Sequence, residues 1–277
     1  MKQRILSGIV MILIVAAVLI LSVYFPVVVT LFLAVLAAFS VYEMLYKTKF
    51  VTEKIVVAVS TVFAFLMKIA YTYEENLRGF LNGQSTTTIL TVLFAVFLII
   101  YTVARNNKFT ASELCFSFAM PLLLSFAFNS IEFVYLGSGF KFYGLLMLFN
   151  FACINDIGAY FIGSKFGKHK MTPVISPKKT WEGAVGGVAS SLIATVIIVL
   201  SFNGGKFDAV MIKWLISTPV FCVVGIFGDL IASIIKRSAG IKDYSNLIPG
   251  HGGIMDRMDS ILLIAPVTEL IIKLLLK

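Results

Sequence analysis

Cysteine, histidine and charge are all scarce in this chain. Its 277 residues include three cysteines, Cys115, Cys153 and Cys222, each set in an apolar run. That distribution excludes a secreted disulfide scaffold. Two histidines with no Cys–His cluster argue against zinc. Only 13% of residues are charged, whereas 59% are hydrophobic and the mean hydropathy is +0.98. Soluble domains carry about 25% charged residues, so this chain cannot clothe a globule in polar surface. Disorder, coiled coil and collagen fail on the same figures. What remains is an all-α, polytopic integral membrane protein. The net charge of +9 then reads as loops facing an anionic leaflet, with no nucleic-acid partner.

Runs of about 20 mostly apolar residues mark spanning helices. They predict nine spans, over 5–25, 27–46, 55–73, 86–104, 111–136, 140–163, 181–202, 209–235 and 258–276. Lys2 and Arg4 precede the first, as in a signal peptide. It is too long for that role, lacks a small-residue cleavage site and runs straight into the second span at Pro26, so it is read as a retained helix. Pro121 and Pro219 fall inside the two longest runs. With the N-terminus inside, 16 of the 23 basic residues lie in cytoplasmic segments. Such an asymmetry sets orientation, and nine spans place the C-terminus outside.

Composition divides the chain. All six aspartates follow residue 150, and 17 of the 20 glycines follow residue 136. Residues 1–136 therefore read as a transmembrane scaffold of about five helices. Residues 137–277 read as the catalytic region of about four, with motif loops at 164–180 and 236–257. Glu43, Lys68 and Glu113 in the first half are expected near interfaces, where long side chains snorkel to water.

The longest polar interruption is Lys236–Arg257. Just upstream, Asp229, Ser233 and Lys236 are spaced to share one helix face. Downstream, Asp256 and Asp259 are expected to share a face at the start of the ninth helix. Three converging carboxylates repel unless a cation neutralises them, and an oxygen-only set suits Mg²⁺. Lys236, Arg237, Lys242 and Arg257 offer charge for phosphate. Gly250, Gly252 and Gly253 let the backbone approach a ligand closely. His251 can serve as ligand, general acid or partner of the glycine-rich backbone.

A second loop contains Lys165, Lys168, His169 and Lys170, then Ser176-Pro-Lys-Lys-Thr-Trp-Glu-Gly. Thr180 is expected to cap the seventh helix, with Lys178 and Lys179 reaching an anion there. Asp156 sits in an apolar run, where a carboxylate marks a site by default.

Ser233-x-x-Lys236-Arg237, Lys242-Asp243-x-Ser245, Ile248-Pro249-x-His251-Gly252-Gly253 and Asp256-Arg257-x-Asp259 together resemble the signature of phosphatidate cytidylyltransferases, the CDP-diacylglycerol synthases. The segments at Asp156 and Ser176 look like that family too. The specific match covers about a quarter of the chain. The resemblance implies transfer of CMP from CTP to phosphatidic acid by a homodimeric enzyme of the bacterial inner membrane. It also implies dependence on Mg²⁺, with K⁺ as a second cation. Carried onto this sequence, the catalytic residues are Asp229, Asp256, Asp259, Lys236, Arg257 and His251, with the three aspartates holding metal. Asp156, Lys178, Lys179, Ser233, Arg237, Lys242, Asp243, Gly252 and Gly253 bind substrate.

Two rivals share some of these features. A polyprenol or phytol kinase would use the same metal and nucleotide logic without the signature around His251. A transporter would spread charge near the midplane of related halves, whereas here charge gathers near one face. The orientation has a direct test. Single cysteines in 164–180 or 236–257, on a cysteine-free background, should resist impermeant thiol reagents in intact cells. Labelling before lysis would reverse the topology.

Overall fold

The computed structural model describes residues 2–276 apart from Asn82 and Asn107. The helices are α1 (Lys2–Tyr24), α2 (Val27–Tyr42), α3 (Lys54–Thr72), α4 (Glu74–Phe80), α5 (Thr86–Ala104) and α6 (Ala111–Glu132). After them come α7 (Phe142–Phe149), α8 (Asn155–Phe166), a hairpin of β1 (Lys170–Thr172) and β2 (Ser176–Thr180), α9 (Trp181–Phe202), α10 (Ala209–Ser238), α11 (Met255–Met258) and α12 (Ile261–Ile271). Wider π-helical turns extend α2 over Glu43–Lys47, α6 over Phe133–Gly137 and α12 over Ile272–Leu276, and Asn150–Ile154 joins α7 to α8. Among the described residues, eight helices are long and apolar enough to cross a membrane. Pro121 and Pro219 lie inside α6 and α10 without ending them. Spanning helices tolerate proline because neighbours satisfy the freed backbone groups.

The C-terminal segment corrects one expectation. Its helix begins at Ile261, not at 258, and is 11 residues long before five π-helical ones. The charged stretch Asp256-Arg257-Met258-Asp259 is spent on a separate turn of helix and the bend after it. Asp256 therefore sits in α11 and Asp259 in the following bend, and the two do not share one helix face.

The chain forms two compact units. One comprises Met1–Glu132 with Ser238–Arg257, the other Phe133–Arg237 with Met258–Lys277. In the first, α2, α3 and α6 pack together. The fully buried Ala34, Ala37 and Ser40 let α2 approach closely. Here the interface reading of Lys68 fails. Lys68 is fully buried and paired with Glu132. Thr72 donates to the same carboxylate at 2.7 Å and Thr30 at 2.5 Å. A charge away from water survives only with such partners, and α3 and α6 are pinned together as a result. Glu43 is likewise buried. Glu113 does lie at a helix end, where it forms a capping box: Thr110 N donates to its carboxylate at 2.9 Å, and Glu113 N donates to Thr110 Oγ1 at 3.2 Å.

In the second unit, α8 packs on α9 through a stripe of glycines, among them Gly158, Gly183 and Gly187. Such stripes bring spanning helices into close contact. Asn150 Nδ2 donates to Ser191 O at 3.1 Å and to Thr195 Oγ1 at 2.9 Å. Thr195 in turn meets Thr218 at 3.0 Å, tying the α7–α8 junction to α9 and α10.

The buried pair generates a stability prediction. Lys68→Met strands the Glu132 charge and should cost about 3–5 kcal/mol. Thermal unfolding in detergent should show much of that loss recovered in Lys68→Met/Glu132→Gln, because the neutral amide still accepts from one threonine hydroxyl and can donate to the oxygen of the other. An unshifted transition in the single variant would remove the pair from the stability of this unit.

Candidate active site

In the second unit the expected lysine loop is a hairpin, a feature that sequence periodicity over so few residues does not reveal. β1 pairs antiparallel with β2, Lys170 opposite Thr180 and Thr172 opposite Ser176. Trp181 N donates to His169 O at 3.0 Å, and His169 Nδ1 meets Glu182 Oε1 at 2.6 Å. These bonds hold the hairpin against the first turn of α9. Thr180 caps that helix as expected, accepting from Gly183 N at 3.1 Å. Lys178 and Lys179, at the end of β2, are thereby aimed into a cavity of about 260 Å³ whose walls include Asp156 and Asp229.

Lys179 Nζ lies 2.6 Å from Asp229 Oδ2. Asp259 reaches the same carboxylate for a backbone reason. A Cβ on Gly228 would lie 2.8 Å from the Asp259 carbonyl oxygen, so only glycine lets the bend before α12 approach α10 there. The next residue, Asp229, is left beside Asp259. Burial and this neighbour push the Asp259 carboxyl up to about 7, with Lys236 opposing. Carboxylates crowded in this way are electrostatically incomplete. Mg²⁺ characteristically takes one or two carboxylates and fills its shell with phosphate oxygens and water. Asp229 and Asp259 fit that pattern, although among the described residues no group of three or more His, Cys, Asp or Glu side chains converges on a metal position. Ser233, Lys236 and Arg237 occupy the last turns of α10. An apolar groove of about 750 Å³ shares Met171, Ala184 and Ile226 with the polar cavity and continues along Trp181, Val223 and Phe227.

The remaining expected residues lie in the first unit, on Ser238–Arg257. Ile248 N donates to Gly252 O at 2.9 Å and His251 N to Ile248 O at 2.9 Å, closing a tight turn. Asp256 is buried, and its Oδ2 accepts from Tyr244 N at 2.8 Å and Gly253 N at 3.0 Å. Beneath the loop lies Glu43, only 1% exposed. It accepts from Ser245 Oγ at 2.6 Å, Met255 N at 2.9 Å and Ile254 N at 3.2 Å. Two of the glycines serve the packing of the loop itself. A Cβ on Gly253 would lie 2.5 Å from Glu43 oxygens, and one on Gly252 2.8 Å from Asp256 Oδ2. Here the backbone approaches the protein's own carboxylates. Lys242, Asp243, His251 and Arg257 line a polar cavity of about 410 Å³.

Sequence reasoning missed Glu43 as a site residue. The available signal was a carboxylate at the end of a span, the same signal that Glu113 gives from an ordinary cap.

Comparison with known proteins agrees with the motif resemblance. The sequence model of the Cytidylyltransferase family matches residues 2–275. The phosphatidate cytidylyltransferase of Bacillus subtilis is 35% identical over 279 residues, covering 96% of this chain and 95% of its own. That of Staphylococcus saprophyticus is 34% identical over 202 residues, 72% of this chain and 73% of its own. That of Staphylococcus haemolyticus is 31% identical over 222 residues, with 78% and 80% covered.

Glu43→Ala should leave buried amides of the loop unsatisfied, at about 1–3 kcal/mol each. Limited proteolysis should then cut within 238–257 faster than in the parent protein. Glu43→Gln keeps one acceptor oxygen and should fall between the two. Equal cleavage rates in all three proteins would show that Glu43 does not hold the loop.

Proposed function

Because the chain belongs to the cytidylyltransferase family, we propose that it transfers CMP from CTP to phosphatidate, yielding CDP-diacylglycerol and pyrophosphate. The carrying observation is the charged group Asp156, Lys179 and Asp229 in a cavity that shares a wall with an apolar groove. A phosphate-headed lipid has that division of polarity, and the groove volume lies within the usual range of ligand sites, about 300–1,000 Å³.

The phosphatidate phosphate is already an anionic nucleophile, so the site needs no strong base. One of its oxygens attacks the α-phosphorus of CTP in line, forming the new P–O bond as the bond to pyrophosphate breaks. The side chains must hold two polyanions together and offset the charge that develops. Lys178 and Lys179 serve as compact cations for phosphate at the hairpin. Lys236 and Arg237, beside Ser233 on α10, and Lys242 and Arg257, beside Asp243 and His251 on the loop of the other unit, supply charge for phosphate. Asp229 and Asp259 would hold Mg²⁺. Bound there, the ion would supply charge neutralisation at phosphate oxygens. Asp256 has another task, since its carboxylate organises the loop that carries Arg257. Both motif loops face the cytoplasm, from which CTP arrives.

Purified protein in detergent, given labelled CTP, phosphatidate and Mg²⁺, should produce labelled lipid. Its absence would sink the assignment. Asp229→Asn and Asp259→Asn should each lower kcat about 100-fold or more. Asp256→Ala should abolish turnover, whereas Asp256→Asn, which can still accept from both amides, should keep the loop resistant to protease. Lys179→Arg preserves charge but not the geometry of a point cation, and kcat/KM should fall about tenfold. Unchanged kinetics would leave Lys179 a topological charge only.

A further inference from the structure

The first two turns of α1 touch the motif loop within the first unit, although α1 is exposed along most of its length. Ser7 Oγ lies 2.8 Å from His251 Nδ1, 2.9 Å from Pro249 O and 3.1 Å from Arg4 O. A Cβ on Gly250 would lie 2.6 Å from Arg4 Cγ, so the loop backbone meets the Arg4 side chain directly. Arg4 is also a wall of the cavity of about 410 Å³ that holds Lys242, Asp243, His251 and Arg257.

These contacts have chemical consequences. A carbonyl oxygen can only accept, and two of them surround the Ser7 hydroxyl. Donation to either carbonyl satisfies its single hydrogen and leaves the oxygen lone pair for His251. In that arrangement Nδ1 carries a hydrogen and donates it to Ser7, which leaves Nε2 as the lone-pair nitrogen of the neutral ring. Three cations, Arg4, Lys242 and Arg257, face one carboxylate, Asp243, across the same cavity. That balance suits an anion with several oxygens, and two guanidinium groups suit phosphate in particular.

We propose that the N-terminal helix belongs to the site: Ser7 is a positioning residue that sets the tautomer and orientation of His251, and Arg4 binds a phosphate of the nucleotide. The phosphate assignment rests on the cytidylyltransferase reading, whereas the role of Ser7 does not depend on it. Neither residue lies within the signature that carries the family resemblance.

The chain has two histidines, His169 and His251, so ¹⁵N-histidine labelling of the full-length protein gives two resolvable rings, with His251→Gln identifying one. In the parent protein the His251 ring should show the Nδ1–H tautomer. Ser7→Ala should shift it towards a mixture and leave His169 unchanged, and Ser7→Thr should restore the parent spectrum. An unaltered His251 signal in Ser7→Ala would overturn the positioning role. Loss of both histidine signals in Ser7→Ala but not in Ser7→Thr would mean that Ser7 serves folding of the unit, which also overturns it. For Arg4, titration with CTP should show about tenfold weaker binding in Arg4→Gln, with Arg4→Lys falling between that variant and the parent. Equal CTP affinity in the parent and Arg4→Gln would remove Arg4 from the site. If the parent binds CTP but makes no labelled lipid, the cytidylyl-transfer reading fails while both assignments stand.

Discussion

A carboxylate folded away from water, in a chain with so little polar surface, costs several kcal/mol unless donors meet it. The first unit meets that demand twice, and the partly exposed acids of the second meet a milder form of it. In the first, Glu132 gathers Lys68, Thr30 and Thr72, and Glu43 gathers two backbone amides and Ser245. In the second, Asp229 takes Lys179 and is still left beside Asp259. The Glu132 cluster is satisfied by the protein alone, and it behaves as a clamp. The Asp229 cluster keeps two carboxylates side by side with Lys179 and Lys236 nearby, and the proposed function places its cation there.

Glycine and π-helical turns provide the backbone geometry for these arrangements. Glu43 sits in a π-helical extension of α2, and another wide turn, Asn150–Ile154, immediately precedes the segment carrying Asp156. A π turn redirects side chains without ending the helix, which is why such turns collect at functional positions. The glycines act by what they omit. Gly228 admits the Asp259 backbone, and Gly252 and Gly253 admit the carboxylates of Asp256 and Glu43. Close approach of the loop to buried acids makes it a rigid platform for Lys242, His251 and Arg257.

Much was legible from the residues in order. Length and apolarity of the runs place eight spanning helices within a few residues of their observed bounds, because a hydrocarbon layer imposes its thickness on any helix that crosses it. Thr180 was readable as a cap, since capping is a local bond between a side chain and an amide three residues on. The motif from Ser233 to Asp259 named the family because many residue types were required at once. Lys68 and Glu43 were misjudged for a complementary reason. A long charged side chain looks the same in sequence whether it snorkels to water or meets a partner 64 or 212 residues away.

The chain by itself therefore determined the class of fold, the family and the chemistry of the candidate residues, all of which depend on composition, spacing and residue type. Tertiary structure alone decided which charges meet. It assigned Ser238–Arg257 to the unit of the first six helices, set Lys179 against Asp229, and brought Ser7 of the first helix to His251. Those pairings join residues far apart in the chain. They arise from packing and desolvation, which no local pattern of residues encodes.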